Sequence, residues 1–185
     1  MDISEEKRKI GEAKKNPQAF GQLYDEFYRP ILKYILRRTS DIELAQDLTS
    51  QTFFKALKGL KKFRWQNISF SAWLYRIATN EVNDFYRRKN RIIQISLEKL
   101  PEIPSQDSAD SDLKLAEAEL ESKKEFKILS QKIRKLSLIY QTVITLRFFE
   151  KKKISEISQI VGKSEGTIKS QLHRALETLK KEMEG

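Results

Sequence analysis

Residues 153–181 read KISEISQIVGKSEGTIKSQLHRALETLKK, and the fold class turns on them. Ile154, Ile157 and Val161 recur at helical spacing, which predicts a short amphipathic helix. Gly162 follows where a helix C-cap needs a residue tolerant of positive φ, and Ser164 is placed to cap a second helix beginning SEGTIKSQ. Helix, tight glycine-containing turn and helix make a helix-turn-helix, an arrangement whose second helix can enter the major groove of DNA. At about 100° per residue, Ile168, Leu172, Ala175, Leu176 and Leu179 gather on one side of that helix. Thr167, Ser170, Arg174 and Glu177 fall opposite, with Lys169, Gln171 and His173 on the flanks. Arginine and lysine donate to guanine edges or phosphates, glutamine pairs with adenine, and serine donates to phosphate. The plainer alternative is the solvated face of an ordinary amphipathic helix.

Upstream, helical periodicity continues. LSLIYQTVITLRFF (136–149) is strongly apolar, as one packed helix requires. Phe20, Leu23, Phe27, Ile31 and Ile35 form an apolar stripe after Asn16–Pro17, which suits an N-cap and first helical position. Ile42, Ala45, Leu48, Thr52, Phe53, Ala56 and Leu57 form another, starting after Ser40 and Asp41. A third helix is expected to open at Ser69 or Ser71 and run to about Arg88. No alternating strand pattern or hairpin turn is present. The fold class is all-α.

The segment FSAWLYRIATNEVNDFYRRKNR (70–91) carries a second polar stripe. With Leu74, Ala78 and Phe85 on one side, Arg76, Asn80, Asn83 and Arg87 lie nearly opposite, bracketed by Thr79 and Tyr86. Two arginines and two asparagines in a row lack the lysine–glutamate alternation of a merely solvated face, and they suit phosphate and base-edge contacts. Just before it, KKFRWQNISF (61–70) mixes basic and aromatic residues. Phe70 and Trp73 are expected in the core; Arg64 and Trp65 fall in a loop, where an indole can stack on an unpaired base.

Charge divides the chain. The formal net charge is +10 over 185 residues. Residues 1–91 hold 19 basic and 11 acidic side chains, residues 92–125 hold 4 and 9, and residues 126–185 hold 13 and 6. The acidic stretch opens with LEKLPEIPSQDSADSD, where Pro101 and Pro104 oppose helix. The expected organisation is two basic helical domains, 1–91 and 126–185, joined by an acidic linker, 92–125. The absence of cysteine and the single His173 remove disulfide scaffolds, thiolate chemistry and histidine metal clusters. No glycine pattern cradles phosphate, and Glu81 with Asp84 is too thin a carboxylate set for metal-assisted nuclease chemistry. The beginning MDISEEKRKI lacks the apolar run of a signal peptide, and no stretch approaches the ~20 apolar residues of a membrane helix. The expectation is a cytoplasmic, non-enzymatic nucleic-acid-binding protein with no cofactor and no metal.

Three segments together resemble the bacterial RNA polymerase sigma factors of the extracytoplasmic-function (ECF) group. DLTSQTFFKAL (47–57) resembles the helix that docks on the polymerase beta-prime clamp, FSAWLYRIATNEVNDFYRR (70–88) the segment that opens and reads the minus-ten promoter element, and ISEISQIVGKSEGTIKSQLHRALETL (154–179) the helix-turn-helix for the minus-thirty-five element. The resemblance implies a protein that binds core RNA polymerase, recognises promoter DNA through two helical domains and promotes melting and initiation. It implies that Asn80 and Thr79, with the loop around Arg64–Ser69, contact the non-template minus-ten strand. Lys169, Ser170, Gln171, His173 and Arg174 would meet the minus-thirty-five element, and Asp47, Gln51 and Phe54 the clamp. The linker would thread towards the polymerase active centre, its negative charge suiting a channel built for nucleic acid. Anti-sigma factors are common partners in the family, although no residue here reveals one. The chain departs from the family where Ser50 and Gln51 replace the usual Gln-Glu pair, and where Ser137 and Leu138 replace a proline. The competing reading is a conventional helix-turn-helix regulator that works without the polymerase.

Overall fold

The structure, a computed structural model, describes residues 3–64, 68–97 and 123–184. Trp65 and the greater part of the expected linker therefore lie outside the described residues. Every regular element described is helical: α1 (Ile3–Lys15), α2 (Phe20–Thr39), α3 (Ile42–Gly59), α4 (Phe70–Leu97), α5 (Lys123–Lys135), α6 (Leu138–Ile144), α7 (Ile154–Val161) and α8 (Glu165–Glu184). A short 3₁₀ turn, Pro17–Ala19, leads into α2, with the Asn16 side chain accepting from the Gln18 N–H. A π-helical turn, Thr145–Phe149, continues α6.

The caps are where the sequence puts them. Asp41 accepts from the Leu44 N–H at the start of α3, and Ser40 closes α2 in the left-handed region at φ 54°. Ser69 Oγ accepts from the Ala72 N–H at the start of α4, 3.0 Å away. This helix outruns its expected end at Arg88 and reaches Leu97, because no proline or glycine interrupts the chain before Pro101.

In the N-terminal unit, α2, α3 and α4 pack around Leu23, Ile31, Ile35, Leu48, Ala56, Phe70, Leu74, Ala78 and Val82, all at most 2% exposed. Phe63 and Trp73 pack tilted at 4.7 Å between ring centroids, and Phe63 meets Phe70 edge-on at 5.8 Å; Phe70 is buried as expected, Trp73 packs partly buried against the core, and Phe63 joins them. In the C-terminal unit, α6, α7 and α8 close over Ile144, Leu146, Ile157, Ile160 and Ile168. The turn between α7 and α8 places Gly162 at φ 73°, a conformation that costs a residue with a Cβ about 1–2 kcal/mol. Its N–H donates to Ser158 O at 2.8 Å. Ser164 Oγ then accepts from the Thr167 N–H at 3.2 Å, opening α8.

The two units touch. Helix α4 packs along α7, and α2 against the turn that ends α6. This seam decides which of the expected surfaces are free.

Candidate nucleic-acid interface

The face of α8 is largely as read. Ile168, Leu172 and Ala175 are buried, while Lys169, Ser170, His173 and Arg174 are exposed and point away from the core. Thr167 is exposed with its hydroxyl 2.8 Å from Ser164 Oγ, so it serves the helix cap as well as the surface. His173 Nε2 lies 3.4 Å from Glu177 Oε1 one turn on. Gln171 is only partly exposed, and its Oε1 is shielded without a hydrogen bond among the described residues. Leu176, expected with the apolar set, is 43% exposed.

The stripe on α4 is divided. Asn80, Arg87 and the preceding Arg64 are exposed, with Arg87 Nη1 3.6 Å from Asp84 Oδ1. Arg76 instead reaches across the seam, and its Nε and Nη2 both donate to the Gln159 carbonyl of α7. Asn83 Oδ1 accepts from Arg38 Nη2 at 3.0 Å. Thr79 corrects an expectation. It is 5% exposed, its hydroxyl donates to Tyr75 O at 2.7 Å, and Tyr34 OH lies 2.8 Å away. A hydroxyl so enclosed supports the turn that carries Asn80 and offers nothing to a base.

The seam has a polar centre that sequence reasoning missed. Glu150, at the end of the α6 extension, accepts from Arg37 Nη1 at 2.5 Å and from Tyr75 OH at 2.7 Å. Burial, and then the adjacent Glu150 carboxylate, hold the Tyr75 phenol far above its ordinary range, so it stays a donor. Lys152 sits 4.6 Å from the Tyr75 ring centroid and donates to Ser71 Oγ at 3.3 Å. Arg38, 1% exposed, donates to Tyr34 OH, to Thr142 Oγ1 of α6 and to Asn83. Its Nε has no partner among the described residues. No sequence signal announces these pairs. Arg37 and Arg38 close the last turn of α2, and their partners across the seam stand 113 and 104 residues away.

The third surface is on α3. Asp47, Gln51 and Phe54 share one exposed face, Phe54 being 58% exposed with Lys58 Nζ 4.3 Å from its ring centroid. Leu57 beside it is 39% exposed. The opposite face of α3 is well filled by Ala45, Leu48, Thr52, Phe53 and Ala56.

Two conserved-domain descriptions fit the two units: Sigma-70 region 2 over residues 23–92 and Sigma-70 region 4 over residues 126–179. The RNA polymerase sigma factor YlaC of Bacillus subtilis is 36% identical over 171 residues, covering 91% of this chain and 94% of that one. The ECF RNA polymerase sigma factor SigW of the same organism is 31% identical, covering 96% of each. The chain belongs to the ECF RNA polymerase sigma factors. The ECF sigma factor BldN of Streptomyces coelicolor is 32% identical over 94% of this chain, which spans 62% of that longer protein. Among solved structures, the sigma factor RpoE of Bartonella quintana, bound to the anti-sigma factor NepR, matches with a TM-score of 0.65 at 23% identity, covering 89% of this chain and 96% of that one. CnrH, bound to the cytosolic domain of CnrY, matches at 0.69 and 20%, covering 97% of both chains. Both show the same fold. As an ECF sigma factor the chain is a polymerase-binding initiation factor, and the reading as a polymerase-independent regulator is not favoured. Among the described residues, no helix is long and apolar enough to cross a membrane.

Proposed function

We propose that this sigma factor docks on core RNA polymerase through the Asp47–Gln51–Phe54 face of α3 and reads its promoter at two places. Lys169, Ser170, His173 and Arg174, at the N-terminal half of α8, meet the minus-thirty-five duplex, with Thr167 at the cap and Gln171 at the flank. Asn80, Arg87 and Arg64, joined by Trp65, meet the unpaired non-template strand of the minus-ten element. Arg76 joins them only when α4 parts from α7, since it now serves the seam, and Asn83 only when it leaves Arg38 of α2. The observation that carries the reading is the exposure of Asn80 and of the α8 face beside a buried apolar side on each helix. Base contacts available only in a melted strand favour melting by mass action, and the linker turns two modest affinities into one larger one through effective concentration. The chain itself makes and breaks no bonds in this scheme; it works in the cytoplasm, without cofactor or metal, and an anti-sigma protein is a natural inhibitory partner.

Run-off transcription with purified core polymerase and a genomic promoter library tests this. Promoter-dependent transcripts that disappear with Asn80→Ala and Arg174→Ala are expected. Transcription by core polymerase that is indifferent to the protein would refute it.

A further inference from the structure

Helix α1 is fastened to both ends of the connection between α3 and α4. Glu6, Ile10 and Ala13 lie on one stripe of α1 and are 7%, 5% and 3% exposed. Ile10 and Ala13 are ordinary core residues; Glu6 is not. Its Oε1 accepts from the Phe70 N–H, the first of α4, at 2.5 Å across 64 residues of sequence. Two turns on, Lys14 Nζ donates to the Phe63 carbonyl at 2.5 Å and stands 5.9 Å from the Phe63 ring centroid. Lys9, between them, ties α1 to α2 through Glu26 at 3.0 Å. One rigid helix thus grips the chain where it leaves the first core segment, at residue 63, and where it enters α4, at residue 70. Arg64 lies just inside the first grip.

Stability alone does not explain this arrangement. Helix α4 already has a cap in Ser69, and enclosing a carboxylate costs free energy that an apolar side chain at position 6 would avoid. Burial holds the Glu6 carboxyl above its ordinary range, against the pull of the Phe70 and Ser71 amides. Helix α1 also precedes the region-2 match, which begins at residue 23. What the two contacts do is fix a spacing: the carbonyl of Phe63 and the amide of Phe70 are each referred to the same helix, so α1 sets the span between them.

We infer that α1 is a brace for minus-ten recognition, with Glu6 and Lys14 as positioning residues that hold Arg64 and the first turn of α4 in register for the unpaired strand. The inference rests on the minus-ten reading proposed above. Neither side chain touches DNA; each acts through backbone whose position decides which bases fit. Glu6 needs an acceptor oxygen for this, whereas its charge is dispensable.

The test uses holoenzyme assembled from the full chain and core polymerase. The probe is a pool of pre-melted promoter fragments randomised across the minus-ten positions of the non-template strand. Bound fragments are sequenced for wild type, Glu6→Ala, Glu6→Gln and Lys14→Met. Glu6→Ala and Lys14→Met should flatten the preference for the favoured bases by about fivefold, the factor to which one net hydrogen bond corresponds. Glu6→Gln should keep the wild-type profile, and all variants should bind core polymerase and minus-thirty-five duplex as wild type does. Folded Glu6→Ala or Lys14→Met protein with an unchanged base profile and merely a lower Tm would overturn the brace, as would loss of preference in Glu6→Gln. Should Glu6→Ala fail to fold, the half-exposed Lys14 carries the comparison. A wild-type holoenzyme that shows no base preference at all sinks the minus-ten reading itself; preference that survives in the variants sinks only the brace.

Discussion

Removing the Glu150 carboxylate should loosen the seam between the two units, and the size of the effect can be worked from its partners. Glu150 is 8% exposed and accepts from Arg37, itself 29% exposed, and from the enclosed Tyr75 hydroxyl. Hydrogen bonds to a charged group contribute about 1.5–3 kcal/mol net. Arg37 recovers water when its partner is removed, so its share falls towards the value of a surface pair, about 0–1 kcal/mol. Tyr75 is more deeply enclosed and is left with an unpartnered donor. Together these give ~2 kcal/mol, about a thirtyfold shift from packed towards parted units. The chain has no cysteine, so Glu43→Cys and Glu177→Cys, both at exposed positions, can carry a donor and an acceptor dye for single-molecule energy transfer. Glu150→Ala in that background should move a large part of the population to low transfer, and Arg37→Ala added to it should do little more, because the two residues share one interaction. Superimposable transfer histograms for wild type and Glu150→Ala would show that Glu150 does not hold the units together.

Three further expectations concern single residues. Arg174→Ala should weaken binding to duplex carrying the upstream element by about 1–3 kcal/mol and relax selectivity at one position, measured by competition between sequence variants. Asn80→Ala should leave assembly with core polymerase intact while lowering permanganate reactivity of unpaired thymines in the minus-ten region. Glu6 gives a pH signature: its folded pKa lies above the ordinary carboxylate value, so the folded chain binds the proton more tightly than the unfolded chain does. Stability from this group therefore rises as pH falls through the folded value towards the ordinary carboxylate value, and it is lost above the folded value. Glu6→Gln should flatten that portion of the Tm-against-pH curve, and an identical slope in both proteins would contradict it.

Much of this molecule is local, and what is local was legible. Gly162 and Ser164 fix the turn between α7 and α8 through backbone conformation and a cap, both encoded within a few residues. The core of the N-terminal unit followed from helical spacing, because Leu23, Ile31, Leu74 and Ala78 bury whichever neighbour they meet. The polar stripe of α4 was only half legible. Asn80 and Arg87 are exposed as the angular reading implies, but Arg76 is spoken for by a carbonyl 83 residues away. Thr79, near the border of that stripe, turns inward because Tyr34 from α2 supplies a hydroxyl at the right height. Neither outcome can be computed from one helix. Helix α1 is a similar case: Glu6, Ile10 and Ala13 share a face, but nothing in their spacing says that a glutamate on it will meet the amide of Phe70.

The guanidinium of Arg38 gives the seam a particular temperament. It is enclosed almost completely, with one nitrogen idle and hydroxyl and amide oxygens, not a carboxylate, as its hydrogen-bond partners among the described residues. A cation dried without an anion is several kcal/mol worse off than the same cation wet. Drawing the helices apart would let solvent back onto it, and that hydration offsets part of what is lost at Glu150 and Gln159. The joint therefore yields more readily than its number of bonds suggests, as a hinge does when it is built with a spring already under tension.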